Sequence, residues 1–196
     1  MSRCLRSLVL ALACGGTPGW CGADRDADVR TPAARGRVPG VVFIPTPPDV
    51  VDRMLQLAAI KRSDVIYDLG CGDGRILVAA AQKYGCRAVG VDIDALRVQA
   101  SRDNIRRGQV EHLVTVREQD LFQVDLREAD VVFLYLTPRY NIRLLPQLRT
   151  LKPGSRIVSH QFELGGIKPD KVVQVPSQQD GRLHTLYLWT TPLSER

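Results

Sequence analysis

The segment of residues 68–74 opens on Asp68 and carries three glycines at alternate positions, Gly70, Gly72 and Gly74. Residues 65–67 before it are β-branched or aromatic and favour a short buried strand, and residues 75–84 after it are good helix formers. Glycine lets the backbone approach a ligand closely, and the first turn of a helix directs free N–H groups at that ligand. The segment predicts a nucleotide-type binding turn at the carboxyl end of a strand. The alternative is a tight turn that binds nothing.

A second carboxylate follows at a spacing that suits such a ligand. Asp92 ends the next predicted strand, residues 88–92. A carboxylate about twenty residues beyond the glycines is placed to accept hydrogen bonds from both ribose hydroxyls. The alternative is that Asp92 caps the following helix, but Asp94 can do this instead. We therefore predict that Asp92 binds ribose, and we include the adjacent Ile93 among the cofactor-binding residues.

The spacing of the glycines distinguishes between classes of nucleotide. Dinucleotide-binding turns carry the pattern G-x-G-x-x-G, which residues 70–74 do not follow. An acidic residue followed by G-x-G-x-G resembles motif I of the class I S-adenosylmethionine-dependent methyltransferases. The resemblance implies S-adenosylmethionine as the cofactor.

The remaining patterns predict alternating strands and helices. Thr46 is predicted as the N-cap of a first helix, and a later helix is expected from Asp94 to Arg107. Another helix is expected to carry Leu144, Leu145, Leu148 and Leu151, with a break or a fresh first turn at Pro146. Further strands are predicted at residues 113–118, 131–136, 156–160, 171–175 and 184–190. Strands that alternate with helices and end in a hairpin predict a three-layer α/β fold.

Composition and the N-terminal segment set the domain organisation. The chain has 196 residues, 44% of them hydrophobic, and a formal charge of +6, which suits one globular domain with no strong preference for nucleic acid. Residues 1–23 resemble a secretory leader, residues 24–40 a flexible linker, and residues 41–196 form the predicted methyltransferase domain. The leader indicates export to a bacterial periplasm or attachment to a membrane, whereas a misplaced start site would leave the protein cytoplasmic.

Several short segments together resemble one branch of methyltransferases. They are residues 43–47, 67–75, 136–137 with Asn141, 151–154, 158–160 and 186–189. They are similar to the small archaeal protein-lysine methyltransferases and their mitochondrial relatives, which modify lysines of ATP synthase and the adenine nucleotide carrier. The resemblance implies a Rossmann-like, seven-stranded, mostly parallel sheet with a C-terminal antiparallel hairpin.

The same resemblance implies roles for individual residues. Asp68, Gly70, Cys71 and Gly72 would surround the methionine part of S-adenosylmethionine. Asp92 would hold the ribose, Asp120 would accept from the adenine amino group, and Leu121 would touch the ring. Thr46 would cover the cofactor, while Phe43 stands where relatives often have tyrosine.

The acceptor pocket is expected at the carboxyl ends of the fourth and fifth strands, where ligands of open α/β sheets gather. Its polar candidates are Tyr135, Thr137, Asn141 and His160. Each has a structural alternative: Tyr135 as a core residue, Thr137 and Asn141 as helix caps, and His160 bonded to the backbone.

The sequence thus predicts methyl transfer from S-adenosylmethionine to a protein lysine. A small-molecule acceptor is the first alternative; a nucleotide-dependent oxidoreductase and a non-catalytic S-adenosylmethionine-binding module are the others. A protein partner is expected, and neither nucleic acid nor a metal ion is.

Overall fold

The computed structural model describes residues 43–195; the predicted leader (1–23) and linker (24–40) lie outside this range. The helices are α1 (Pro48–Leu57), α2 (Arg75–Tyr84), α3 (Ala95–Arg107) and α4 (Pro138–Leu148), with one 3₁₀ turn at Leu121–Gln123. The strands are β1 (Val65–Leu69), β2 (Arg87–Asp92), β3 (Val114–Glu118), β4 (Val131–Leu134), β5 (Arg156–His160), β6 (Lys171–Pro176) and β7 (Leu183–Thr190).

The seven strands form one sheet in the order β3-β2-β1-β4-β5-β7-β6. Strands β1 to β5 pair in parallel, whereas β7 runs antiparallel to both β5 and β6. The predicted mostly parallel sheet with a C-terminal antiparallel hairpin is confirmed. The chain reverses direction of strand addition after β3, because β4 pairs with the other side of β1. Ligands bind at such a switch point, above the carboxyl ends of the strands.

The core lies on both faces of the sheet. One hydrophobic cluster joins α1, α2 and α3 to alternate residues of the central strands, including Ile66 and Phe133. The other cluster joins α4 to the opposite face through Leu144 and Leu148. Strand β4 is fully buried along its length because helices cover it on both sides. The three predicted layers are therefore present, with the glycine turn at one edge of the first cluster.

The first helix does not begin as predicted. Thr46 is not its N-cap: Pro47 occupies that position, and no side chain caps the helix. The Thr46 hydroxyl is hydrogen-bonded to His160 instead. The carboxylate of Asp49, three residues after Thr46, accepts from Ser177 Oγ and from the Gln178 N–H. Long-range contacts have therefore replaced the local cap.

The predicted break at Pro146 is also wrong. Helix α4 continues through Pro146 without a fresh start and ends at Leu148, so Leu151 lies outside the helix predicted to carry it. Proline removes one N–H donor from the helix, and only two residues follow it here, so little of the hydrogen-bond ladder is lost. Burial of Leu144 and Leu148 against the sheet offsets that loss.

Candidate functional site

The glycine turn after β1 is fixed by the end of β2. Gly70, Gly72 and Gly74 have φ angles of +83°, +55° and +73°, which side chains other than glycine rarely adopt. The N–H groups of Gly70 and Cys71 both donate to the Val91 carbonyl, at 2.8 and 3.0 Å. The turn is thus held in one conformation at the carboxyl edge of the sheet.

Phe43 lies directly over this turn. A Cβ atom on Gly72 would stand 2.1 Å from the Phe43 ring, and one on Gly70 would stand 3.0 Å from Leu136. On the Phe43 ring the guanidinium of Arg97 stacks 4.1 Å from the centroid, an attractive cation–π arrangement. Any side chain at Gly72 would displace Phe43 from the turn.

Asp92 connects β2 to the glycine turn and to α3. Its Oδ2 accepts from the Gly72 N–H at 2.9 Å, and its Oδ1 accepts from the Asp94 N–H at 3.0 Å. The cap of α3 is Asp94, which accepts from the Leu96 N–H. The predicted cap at Asp94 is confirmed, and the ribose contact of Asp92 stays a prediction.

Asp68 is a buried carboxyl group in an acidic environment. It is 4% exposed, and within residues 43–195 no hydrogen bond to its carboxylate is found. Burial, followed by the negative charges of Asp92 and Asp73, raises its pKa to about 8. A cationic ligand beside Asp68 would relieve this cost and favour the ionised form.

Asp120 and Leu121 lie beyond the end of β3. The Asp120 carboxylate accepts from the Phe122 N–H at 3.0 Å and caps the short 3₁₀ turn that contains Leu121. Ile93, at the end of β2, is 45% exposed. Ile93 directly follows Asp92 in the chain, and an exposed apolar side chain there suits contact with a flat ring.

The structure brings together only some of the residues predicted for the acceptor pocket. His160 is fully buried at the end of β5, and its Nδ1 lies 3.1 Å from Thr46 Oγ1. The half-buried Tyr135 ring packs on the His160 ring with centroids 3.9 Å apart, and burial raises the Tyr135 pKa. Thr137 is exposed, occupies the N-cap position of α4 and makes no side-chain cap. Thr46, Tyr135 and His160 therefore form one cluster, and the Thr137 side chain is not hydrogen-bonded to it within the described range.

Asn141 connects α4 to the segment after β5 by hydrogen bonds. Its Nδ2 donates to the carbonyls of Phe162 and Glu163, at 3.3 and 3.2 Å. The side chain is fully buried, and its Oδ1 has no hydrogen-bond partner within residues 43–195. The helix-cap alternative for Asn141 is wrong, because its amide bridges two separate segments.

Two residues of the cluster were missed from the sequence. His184 Nδ1 lies 2.8 Å from His160 Nε2, and His184 Nε2 lies 3.1 Å from a carboxylate oxygen of Asp180. The alternative that His160 bonds to the backbone is therefore wrong. Burial, followed by the neighbouring His184, lowers the pKa of His160 to about 4. The sequence offered one signal for this pair, a histidine at the start of the last predicted strand, four residues after an aspartate in the preceding turn.

A basic side chain links the segment that carries Thr46 to the glycine turn. Arg75, the first residue of α2, donates from Nη1 to the Thr46 carbonyl at 2.8 Å and forms an ion pair with Asp73. The Asp73 pKa is lowered: burial opposes this, but the hydrogen bonds and charge of Arg75 outweigh it. Thr46 is thereby held between the glycine turn and the His160 cluster.

Two kinds of feature are absent from the described part of the chain. Across residues 43–195 no group of three or more His, Cys, Asp or Glu side chains is arranged to hold a metal ion. In the same range no helix is both long and apolar enough to cross a membrane.

Residues 68–171 match the ANTKMT methyltransferase domain model, which is more than half of the chain. The chain is also 43% identical to the protein-lysine N-methyltransferase of Saccharolobus islandicus, over 78% of this chain and 94% of that protein. The chain belongs to the ANTKMT methyltransferase family. It is an S-adenosylmethionine-dependent methyltransferase.

Two further relatives extend the comparison. The methyltransferase is 28% identical to a human ATP synthase lysine N-methyltransferase over 66% of its own chain, but spans only 55% of that protein. A Salinibacter ruber RNA methyltransferase, solved with S-adenosyl-L-homocysteine, is 46% identical with a TM-score of 0.70. That match covers 76% of the present chain and 94% of the S. ruber chain.

The geometry of the methyltransferase fits its cofactor. The glycine turn offers close backbone approach, and the buried Asp68 carboxyl lies in an acidic environment that suits a cation such as a sulfonium or an ammonium. Asp92 stands at the end of the neighbouring strand, where a ribose is commonly bound. The donor set therefore matches S-adenosylmethionine, which carries both cationic groups and a ribose.

Proposed function

We propose that this methyltransferase modifies lysine side chains of a protein substrate. The observation that carries the proposal is the 43% identity with a protein-lysine N-methyltransferase along 94% of that relative's length. The modest formal charge of +6 on 196 residues also favours a protein over a nucleic acid. A small-molecule acceptor is the runner-up.

We assign the cofactor to the edge of the sheet around β1, β2 and β3. The proposed contacts are Asp68, Gly70, Cys71 and Gly72 to the methionine part, Asp92 to the ribose, Ile93, Asp120 and Leu121 to the adenine, and Thr46 as part of the cover. Support comes from the positions of these residues. Those of the methionine, ribose and adenine contacts lie at or just beyond the carboxyl ends of β1, β2 and β3, and the Thr46 carbonyl accepts from Arg75, which begins the helix after the glycine turn.

S-adenosylmethionine supplies an electrophilic methyl group bonded to a sulfonium. The protein must hold a nucleophile in line with that methyl group, which is mainly a matter of position and of a free lone pair. The cluster of Tyr135, His160 and Thr46 stands at the ends of β4 and β5, beside the glycine turn. We assign the acceptor pocket to this cluster, with Asn141 positioning the segment after β5.

A lysine acceptor imposes a further requirement on the pocket. Its ordinary pKa of about 10.4 keeps the amine protonated at neutral pH, and an ammonium has no lone pair. Burial disfavours the charged amine and so lowers its pKa. The fully buried His160 and the half-buried Tyr135 provide such surroundings, since the pKa of His160 is itself lowered to about 4.

The substrate class can be tested by the fate of a labelled methyl group. Purified protein is incubated with methyl-labelled S-adenosylmethionine and a cell lysate, and the products are treated separately with protease and with nuclease. We expect label in protease-sensitive, nuclease-resistant material, and none with Asp92→Ala. Label confined to nuclease-sensitive material would instead match the activity named for the S. ruber relative, and label only in small metabolites would favour the runner-up.

A further inference from the structure

Four side chains form a continuous hydrogen-bonded chain from the protein surface to the acceptor pocket. It runs from Asp180, in the turn between β6 and β7, through His184 and His160 to Thr46. The three links measure 3.1, 2.8 and 3.1 Å. Asp180 is exposed, whereas the other three residues are at most 5% exposed. The chain therefore has one end in solvent and one end in the buried cluster.

The chemistry of the exposed end fixes the direction of every hydrogen bond. A carboxylate only accepts, and the hydrogen bonds of the Arg182 N–H and His184 keep the pKa of Asp180 below its usual value. His184 Nε2 must therefore donate to Asp180. In its neutral form His184 has one donor and one acceptor, and its Nδ1 then accepts.

The same reasoning assigns the donors and acceptors of His160 and Thr46. His160 Nε2 must donate to His184 Nδ1, which leaves His160 Nδ1 as an acceptor. His160 is the member whose pKa is depressed, and it is neutral at physiological pH. The Thr46 hydroxyl must then donate its single proton to His160.

This assignment determines what Thr46 can bind. With its proton donated to His160, Thr46 Oγ1 has only lone pairs left, and within residues 43–195 no other group is hydrogen-bonded to it. An oxygen in this state binds donors such as an amine N–H and repels acceptors such as a carboxylate. It therefore suits the incoming amine better than the carboxylate of the cofactor.

We propose that Asp180, His184 and His160 act as positioning residues that hold Thr46 Oγ1 as a hydrogen-bond acceptor for the N–H of the amine to be methylated. The proposal rests on the amine acceptor of the proposed function, which it deepens by naming the atom that orients the amine. An amine bonded to Thr46 through N–H has its lone pair fixed relative to the pocket, as in-line transfer requires.

Asp180→Asn is the informative variant because it preserves shape and removes the constraint on direction. Oδ1 of residue 180 accepts from the Arg182 N–H at 3.0 Å, and the amide oxygen of asparagine would keep this contact. That oxygen stays 3.1 Å from His184 Nε2, while the amide NH₂ takes the place of Oδ2, 3.2 Å from the same nitrogen. Residue 180 then offers His184 both an acceptor and a donor, so part of the molecules carry the opposite tautomers, with Thr46 as a donor towards the pocket.

The matched control is Asp170→Asn. Asp170 precedes the same hairpin, is exposed, and accepts from the backbone N–H of Thr190. It is not part of the hydrogen-bonded series from Asp180 to Thr46. Thr46→Ser and Thr46→Val form a second pair, because serine keeps the hydroxyl and valine removes it at similar size.

The first readout is the tautomer of each histidine by ¹⁵N NMR at pH 8. The chain has three histidines, and the exposed His112 serves as an internal reference. We expect protonated Nε2 on both His160 and His184 in the wild type and in Asp170→Asn, and a population with protonated Nδ1 on both in Asp180→Asn. Protonated Nδ1 on His160 of the wild type would overturn the proposal, whatever the substrate is.

The second readout separates acceptor binding from cofactor binding. With lysate protein as the acceptor, Thr46→Val should raise the apparent KM for acceptor about tenfold, the equivalent of one lost hydrogen bond, and Asp180→Asn should raise it by a smaller factor. Thr46→Ser should raise it less than Thr46→Val, Asp170→Asn should stay near wild type, and Asp180→Asn should bind S-adenosylmethionine within about twofold of wild type. An unchanged acceptor KM, or a loss confined to cofactor affinity, would overturn the proposal. Absence of any protein label in the wild type would instead count against the proposed function, because the tautomers are measured without substrate.

Discussion

The N–H of Gly72 donates to Oδ2 of Asp92 at 2.9 Å, so the glycine turn after β1 is bonded directly to the end of β2. One carboxylate thus fixes the turn and is also the group that we propose to bind the ribose. Asp92 has a second task in accepting from the Asp94 N–H. Its removal should therefore affect cofactor binding more than the loss of any single ligand contact.

Asp92→Ala should weaken S-adenosylmethionine binding more than Asp120→Ala. Two charge-assisted bonds to ribose hydroxyls contribute on the order of 1.5–3 kcal/mol each, whereas the adenine amino group offers one. Asp92→Ala also leaves the Gly72 N–H without its partner. Titration calorimetry measures both affinities. Equal affinities for wild type and Asp92→Ala would mean that the ribose is held elsewhere.

Gly72→Ala should abolish tight cofactor binding, in contrast to Gly154→Ala. Both glycines have positive φ angles, +55° and +82°, so alanine strains the backbone at each by about 1–2 kcal/mol. At Gly154 a Cβ meets nothing within 4 Å, but at Gly72 it meets the Phe43 ring at 2.1 Å. We expect similar melting temperatures for the two variants and at least about tenfold weaker cofactor binding for Gly72→Ala alone. Matching affinities would show that the turn is not a ligand contact.

Binding of S-adenosylmethionine should release a proton from Asp68. Its pKa of about 8 in the free protein leaves it largely protonated at pH 7, and a cation beside it lowers that pKa. Calorimetry at pH 7 in two buffers of different ionisation enthalpy should give different apparent binding enthalpies. Asp68→Asn is the control and should lose the part of this difference that Asp68 supplies. A difference of the same size in wild type and Asp68→Asn would contradict the role of Asp68.

His160 should make the folded state less stable in mild acid. Its folded pKa of about 4 lies below the ordinary value of 6.5, so the unfolded chain binds the proton first. The stabilisation is complete above about pH 6.5 and is lost as pH falls towards 4. From pH 7 to pH 5 the unfolding free energy should fall by about 2 kcal/mol more in the wild type than in His160→Gln. Urea denaturation at both pH values measures this; His112→Gln should behave as the wild type, and an equal fall in all three would refute the assignment.

Local patterns in the sequence were enough to predict the cofactor half of the site. The glycine turn, Asp92 and the Asp94 cap are encoded within a few residues of each other, and strand–helix alternation dictates that β1 and β2 end side by side. Class of fold and class of cofactor follow from these features.

The other half depends on contacts that local patterns do not encode. Thr46 has the residue type of an N-cap, but its hydroxyl bonds to His160, 114 positions away. The pairing of His160 with His184 requires the register of β5 against β7, in which His160 stands opposite Leu186. A hairpin could be predicted from the sequence, whereas its register against a distant strand could not.

Hydrolysis of the labelled protein shows whether a protein lysine receives the methyl group. Lysate protein labelled from methyl-labelled S-adenosylmethionine is hydrolysed in acid, and the labelled amino acid is identified by chromatography against methylated standards. We expect the label to co-migrate with N-methylated lysine and to be absent from a parallel reaction with Asp92→Ala. Label on any other amino acid, or protein that carries no label beside labelled RNA, would contradict this expectation.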